Sequence, residues 1–437
     1  MPERGRAGTG AVLSLSAIGK QDTYLTTQAN KEDSFFKPKN LQHTNSALAY
    51  RSHIINTNRE ESWPFGRTIN FDINPKTSGD LLANAWIKLE LPQLTGSNAY
   101  AQFVGHTLLK EARFSINGVT LDREVSEWMI IHHELLINES GERALHNMVG
   151  PENTTSGPLS LLIPLYFFFC RDTNHIKDYD EKFVKPYFYL CCCPEQEITI
   201  SVEFQPVPYF SNVINTSDIY CSKVNLITQE YNLSQQEKHY YMDRKHISLI
   251  NTVVPQATYS IEKNDKTFRN FLSCPFPVKA FHWFLRNKEV ESTSNSFYFN
   301  NRYNFSSNLS TTICNESPYP IMGDATIYIG GTQQQVGLQN ANSANDKVGS
   351  LFYKILQNFD HNLTIPCRNI YTYSFALDEY NPNPSGAVNF NATSSTNTYL
   401  NGYTRDVTVS NDYNLYLYYF TSQVLKYENG FCSSIFA

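Results

Sequence analysis

Charge is scarce in this sequence: 17% of the residues are Asp, Glu, Lys or Arg, and they sum to a formal net charge of −6. That balance excludes a surface built to coat nucleic acid. The one basic start, Arg4 and Arg6, is too short for a binding arm. Long apolar runs are missing as well. The most apolar stretch, Leu159 to Cys170, has twelve residues with a proline inside. It is too short to span a bilayer and reads as a buried strand. The first 20 residues show no apolar core or cleavage site, so no export signal is expected. The nine cysteines include no Cys-x-x-Cys spacing. On an extended strand Cys191, Cys192 and Cys193 would point to alternate faces and could not close a metal cage alone. Buried thiols in a reducing compartment are expected.

Enzyme motifs are also wanting. His133-Glu134 starts like a zinc-protease helix, but Ile137 stands where the second histidine must be. His133 is therefore expected as a helix-flank residue. Gly19-Lys20 lacks both the earlier glycine and the following Ser or Thr of a phosphate cradle. No Gly-x-Ser-x-Gly elbow occurs, and the 41 carboxylates include no pair that sequence places across a cleft. The pair Asp378-Glu379 has no nucleophile or base beside it in the sequence. No catalytic residue, metal ligand or cofactor is expected.

What is present is aromatic and turn-rich: 28 Tyr, 28 Phe, 20 Gly and 20 Pro. Aromatic residues suit pleated, half-buried surfaces, so an all-β chain is expected. Period-two alternation marks Thr68–Ile73, Ile87–Leu91 and Ile198–Phe204 as strands covered on one face. Ser126–Ile137 has a Ser start and helix-length apolar spacing, which predicts a helix.

An internal repeat organises the rest. Glu111–Thr120 (EARFSINGVT) matches Asp324–Gln333 (DATIYIGGTQ), each a strand followed by a hairpin glycine turn. Tyr166–Asp172 matches Tyr373–Glu379, and Glu197–Phe204 matches Asp406–Tyr413. The offsets are 213, 207 and 209 residues, in the same order. A tandem pair of β domains of about two hundred residues each follows. The expected boundaries are an arm at 1–24, one domain at 25–212, a linker at 213–223 and a second domain at 224–437. Long loops are expected at Asn138–Pro158, Thr293–Pro320 and Gly337–Gly349. Nine Asn-x-Ser/Thr sequons occur. Asn304, Asn308 and Asn315 cluster in one polar stretch and are expected to be exposed, as candidate glycan sites.

The stretch Ile370–Phe390 (IYTYSFALDEYNPNPSGAVNF) resembles a signature of the major capsid proteins of nucleocytoplasmic large DNA viruses. The residues that carry it are Tyr373, Phe375, Pro384, Ser385, Gly386, Asn389 and Phe390. Gly19–Thr26, Val104–Gly118, Ile163–Asp172 and Pro275–Leu285 extend the likeness along the chain. The resemblance implies a double jelly roll, two tandem eight-stranded antiparallel rolls with long loops and short helices. It also implies a homotrimer that tiles an icosahedral shell as a pseudo-hexagonal capsomer, made in the host cytoplasm and residing in the virion. Neighbouring capsomers, minor capsid and penton proteins would be its partners, with the amino-terminal arm turned toward minor capsid proteins or an inner membrane and no direct contact to nucleic acid. A minor paralogue of the shell protein, a carbohydrate-binding sandwich or adhesin, and a β-sandwich glycoside hydrolase are the competing readings. In the capsid reading the Pro-Ser-Gly corner is a rigid turn that sets how the second roll meets its neighbours.

Overall fold

A computed structural model of the chain describes residues 45–57, 60–171, 185–309, 320–334, 351–380, 384–392, 397–404 and 411–435. Residues 47–437 make one compact unit. In the first half the strands are β1 (Ser46–Asn56), β2 (Thr68–Ile73), β3 (Leu81–Leu91), β4 (Leu109–Ile116), β5 (Val119–Val125), β6 (Leu159–Leu165), β7 (Phe188–Tyr189), β8 (Ile198–Phe204) and β9 (Lys223–Leu233). The second half has β10 (His246–Pro255), β11 (Tyr259–Ile261), β12 (Thr267–Phe271), β13 (Val278–Asn287), β14 (Met322–Ile329), β15 (Thr332–Gln333), β16 (Tyr371–Ser374), β17 (Tyr399–Thr404), β18 (Tyr413–Glu428) and β19 (Phe431–Ser434).

Four sheets result. Their orders are β1-β9-β3-β6, β2-β8-β4-β5, β10-β18-β13-β16 and β12-β17-β14-β15. The third order repeats the first and the fourth repeats the second, strand for strand along the chain. The main path of each half is thus an eight-stranded antiparallel roll whose closing strand (β9, β18) returns to lie beside its first (β1, β10), the jelly-roll arrangement, with β7 added beside β3 and β11 and β19 beside β18. Burial explains the pairing. Strands β2 and β8 alternate buried and solvent-facing residues, as half-covered sheets must. Pro164 lies in β6, which ends its sheet; a residue without an N–H is tolerated there because no further strand needs its donor.

The hairpin repeat is real. Asn117 and Gly118 (φ 49° and 79°) join β4 to β5, and Gly330 and Gly331 (58° and 86°) join β14 to β15. Both are turns with two left-handed residues, which match the strand twist. The third repeat is out of register. The partner of β8 is β17, Tyr399–Thr404, whereas Tyr413 already begins β18 and residues 405–410 lie outside the described set. Strand chemistry misled here because both segments are equally β-prone. Strand β9 lies beyond the expected linker at 213–223, yet it pairs with β3 from Leu81↔Tyr231 to Lys88↔Asn225, inside the first roll.

One expected loop and one expected strand differ. Within Asn138–Pro158 the chain forms a helix, α3 (Glu139–Val149). The Asn138 side chain accepts the Gly141 N–H at 2.8 Å and caps it. In the Thr293–Pro320 stretch the described residues, 293–309 and 320, form turns with one 3₁₀ turn at Phe299–Asn301 and a single bridge from Ser306 to Pro320, and Gly337–Gly349 is outside the described residues. The run Leu159–Cys170 is strand only to Leu165, after which the chain turns while Phe167, Phe168 and Phe169 stay buried. Cys191 and Cys192 lie in a short 3₁₀ turn. Among the described residues eight cysteines are unbridged thiols, all buried except Cys367.

Between the rolls sits a third core. Helix α1 (Val104–Leu108) and helix α2 (Ser126–Leu136) come from the first roll. The apolar side of α2, with Trp128, Ile130, Ile131 and Leu135, packs on Ala280, Phe284, Tyr418 and Phe420 of the second. Trp128 stacks on Phe420 with centroids 6.1 Å apart. Strand β13 accordingly has all ten residues buried: Phe281, Trp283 and Leu285 face the second roll's own core, while Ala280 and Phe284 face the joint.

Buried arginines lock the joint. Arg286 Nη1 donates to Glu127 Oε1 at 3.0 Å. Arg368 pairs with Glu134, and Arg302 donates from Nε to the Tyr209 carbonyl at 2.9 Å. Thr364 N–H donates to Leu135 O at 2.8 Å, satisfying a carbonyl at the open end of α2. The Ser126 hydroxyl does not cap α2; it donates to His106 O at 2.8 Å. Truncating the joint's central ring, Trp128→Ala, should cost about 3–5 kcal/mol. It should also split the single melting transition into two, one per roll, in differential scanning calorimetry. A single unshifted transition would contradict the joint's role.

Candidate functional site

The Pro-Ser-Gly corner closes the edge of the second roll. Strand β16 pairs with β13 from Ala280↔Ser374 to Trp283↔Tyr371. The chain then bends, and the Phe375 and Ala376 N–H groups both donate to Lys279 O, at 2.7 and 3.2 Å. Ser385 ties the corner to this bend: its Oγ donates to Asp378 O at 2.9 Å and accepts from Asp378 N at 3.1 Å. Gly386 has φ 144°, and a Cβ there would lie 2.7 Å from Phe375 O. Only glycine combines that angle with that approach. Val388 then exchanges both backbone hydrogen bonds with Val278 at 2.8 Å, and Phe390 is buried against Phe375 and Tyr419.

Of the seven signature residues, Phe390 is buried, and Tyr373, Phe375 and Ser385 are half-buried. Pro384, Gly386 and Asn389 are exposed. Asn389 Oδ1 accepts the Asn391 N–H at 3.0 Å. The corner packs back on its own roll. The candidate glycan sites do not hold together. Asn304 is 3% exposed, with its amide donating to Asn308 O at 3.1 Å and its oxygen accepting from Ser306 N at 3.0 Å. A side chain spent at both ends inside a turn has no room for a sugar, which corrects the expectation of exposure. Asn308 is half-buried, and Asn315 is outside the described residues.

Sequence reasoning missed what lies under the corner. Glu379 is buried, with Oε1 3.8 Å from His282 Nε2. Burial pushes its carboxyl up to about 8. His282 bonds Thr372 Oγ1 at 3.0 Å and Tyr380 Oη at 3.1 Å. Lys279 Nζ donates to Asn251 Oδ1 at 3.1 Å, and burial lowers its amine to about 8 against the pull of Asp378 and Glu379. From the first roll, Arg171 donates to Asn251 O and lies 3.5 Å from Asp122 Oδ2. Asp122 and Glu124 in turn accept the Phe168 and Tyr166 N–H groups at 2.7 and 2.8 Å. These residues are hundreds of positions apart, so only an apolar strand carrying Lys279 and His282 could have hinted at them.

A second buried cluster sits in the joint. His133 is not at a helix flank: it is 2% exposed, with its ring 5.9 Å from His106 and 5.6 Å from His146. Among the described residues no group of His, Cys, Asp or Glu is arranged to hold a metal ion. Two open grooves of about 250 and 360 Å³ lie at Lys88–Pro92 with Tyr220–Asn225, and at Asp72–Lys76 with Pro194–Ile198. In the second, Glu195 pairs with Lys76 at 2.9 Å in the open and Asp72 accepts from Thr199. No carboxyl there sits in the apolar setting that a glycosidase proton donor uses.

Two family models match the chain: "Major capsid protein N-terminus" over residues 34–243 and "Large eukaryotic DNA virus major capsid protein" over residues 232–431. Capsid protein 1 of Acanthamoeba polyphaga mimivirus is 28% identical over 191 residues, 38% of this chain and 31% of that protein. The major capsid protein of Phaeocystis pouchetii virus is 28% identical over 201 residues, 37% of each chain. The chain thus spans about a third of the length of these curated relatives. That of Paramecium bursaria Chlorella virus 1 is 25% identical over 288 residues, 63% of this chain and 60% of that one. Among solved structures, PBCV-1 VP54 superposes with a TM-score of 0.71 at 16% identity, covering 92% of this chain and 100% of that one. The Faustovirus major capsid protein gives 0.66 at 12% identity, with 94% of each chain covered. These likenesses establish the double jelly roll.

Two outcomes are expected. Gly386→Val should cost on the order of 1–3 kcal/mol, read as a lower melting temperature; an unchanged one would remove the corner's structural role. The second concerns pH. Burial, aided by Arg368 and His146, holds His106 at about 3 against its ordinary 6.5. The unfolded imidazole takes up a proton below that ordinary value and the native one does not, so His106 removes stability as pH falls from 6.5 toward 3. Glu124 and Glu379, both pushed to about 8 by burial, act oppositely: they favour the native state as pH falls from about 8 toward 4.5. Substitution isolates the histidine. His106→Leu should lose less stability than wild type between pH 6.5 and about 5, by about 2 kcal/mol, measured by denaturant titration at each pH.

Proposed function

The chain belongs to the major capsid protein family of large eukaryotic DNA viruses, and from that premise we propose that it builds an icosahedral shell as a homotrimer. The observation that carries this reading is the repetition of one eight-strand order in two rolls held by a buried, arginine-latched joint. Three such chains present six similar rolls around a threefold axis, and six similar units tile a hexagonal lattice. In this reading the seam between the rolls lies at residues 234–245, in place of 213–223, because β9 ends at Leu233 and β10 begins at His246. The two family matches overlap there, at 232–243.

In this reading the partners are two further copies, neighbouring capsomers, and minor capsid and penton proteins. The arm at 1–24, which is outside the described residues, is assigned in this reading to contacts with those proteins or an inner membrane. The long loops of the second roll, Thr293–Pro320 among them, face outward. The protein is made in the host cytoplasm, works in the virion, and acts as a building block with no catalytic role. None of its described helices is long and apolar enough to cross a membrane.

Size-exclusion chromatography with light scattering tests the reading. A trimer near 150 kDa, three times 50.0 kDa, is expected. A stable monomer that binds glycans would overturn it in favour of a carbohydrate-binding sandwich. Electron microscopy of particles then separates the principal shell protein from a minor paralogue. A particle map with the Thr293–Pro320 loop facing inward would refute the outward placement.

A further inference from the structure

The polar cluster beneath the corner has the parts of a reaction within the chain itself. Lys279 is fully buried, Glu379 is 1% exposed and Asn251 is 8% exposed. Lys279 Nζ rests 3.1 Å from Asn251 Oδ1. Asn251 lies on β10 and Lys279 on β13, the two strands that flank β18. Lys279 stands at a register shift between Val278 and Ala280, so its side chain is displaced from the regular ladder. The main chain around each partner is pinned. Arg171 donates to Asn251 O, and Phe375 and Ala376 donate to Lys279 O. The segment that pins Lys279 leads, three residues on, to Glu379, whose carboxyl His282 faces at 3.8 Å.

We propose that Lys279 and Asn251 join in an intramolecular isopeptide bond, with Glu379 as the proton carrier. The amine attacks the Asn251 side-chain carbon as rotation about its broad terminal torsion turns a face of the carbonyl toward Nζ. An Nζ–Cγ bond forms. Glu379 gives its proton to Nδ2 and receives one from Nζ. The Cγ–Nδ2 bond breaks and ammonia leaves with the departing nitrogen. The exchange of amine for amide nitrogen balances without oxidant or cofactor.

The setting favours each part. A lysine is a nucleophile only when neutral, and burial is what makes it so; the Lys279 amine is lowered to about 8. A carboxyl can carry a proton near neutrality only if burial keeps it protonated, and Glu379 is pushed up to about 8. The product would staple β10 to β13 across β18, in the sheet whose outer face bears the joint.

Intact mass spectrometry of the folded full-length chain, kept at neutral pH, tests this. The expected mass is about 17 Da below that of the sequence, the loss of one ammonia. Digestion should yield one cross-linked species joining the Asn251 and Lys279 peptides. Glu379→Gln keeps amine and amide and should show the full sequence mass, as should Lys279→Met. A cooperatively folded wild-type chain with the full sequence mass would overturn the proposal. So would a deficit that persists in Lys279→Met, because a succinimide elsewhere would then be its source. A bond that still forms in Glu379→Gln would overturn the role of Glu379. Light scattering on the same samples keeps this test separate from trimer formation.

Discussion

Everything in this molecule leans on the joint between the rolls, where one helix of the first roll is pressed onto the outer face of a sheet in the second. A jelly roll ordinarily buries one face of each sheet and leaves the other to water. Here the sheet β10-β18-β13-β16 has no wet face at its centre: Tyr419 and Leu417 point into the second roll's core, while Tyr418 and Phe420 point into the joint. Strand β18 is therefore apolar on both sides over this stretch. Its period-two pattern vanishes there, and two domains are welded into one body.

The weld is specific because it is not only apolar. Arg286, Arg302 and Arg368 are each almost wholly buried. A buried guanidinium is tolerable only where its donors meet acceptors in fixed directions. Glu127, Glu134 and the Tyr209 carbonyl supply those directions from the first roll. The arginines thus act as a register for the aromatic contact, much as a buried polar residue sets register in other assemblies. At the far end, Gln196 and Cys432 exchange hydrogen bonds between their side-chain amide and main chain, giving a second point of attachment. In the proposed capsomer this matters because six rolls can imitate a hexagon only if each pair keeps one fixed angle.

Beneath the corner the same logic appears on a smaller scale. Ser385 and Gly386 hold the chain against Phe375 and Asp378, and this brings Glu379 under cover beside His282 and within the field of Lys279. The corner is conformationally demanding, and its demands are met by its own roll. Its rigidity positions a buried acid as well as shaping a surface.

Much of the fold was legible in the sequence. Alternation in Thr68–Ile73 and Ile198–Phe204, the helix from Ser126 and the paired hairpins all follow from local periodicity and from glycines where left-handed angles are needed. The duplication and the signature around Gly386 were readable for the same reason, since they are patterns along the chain. What tertiary structure alone decided was which faces meet. β8 aligns with β17 and not with the later segment of similar composition, because register answers to long-range pairing. β9 joins the first roll for the same reason. Asn138 caps a helix where turn-forming residues suggested a loop, and Asn304 lies buried where polarity suggested exposure. The placement of Lys279, Asn251 and Glu379 was beyond reach of the sequence, because three residues spread over 129 positions become neighbours only when β18 threads between β10 and β13. Local chemistry determines the elements; the burial of a second face, and the charges trapped with it, is a property of their assembly.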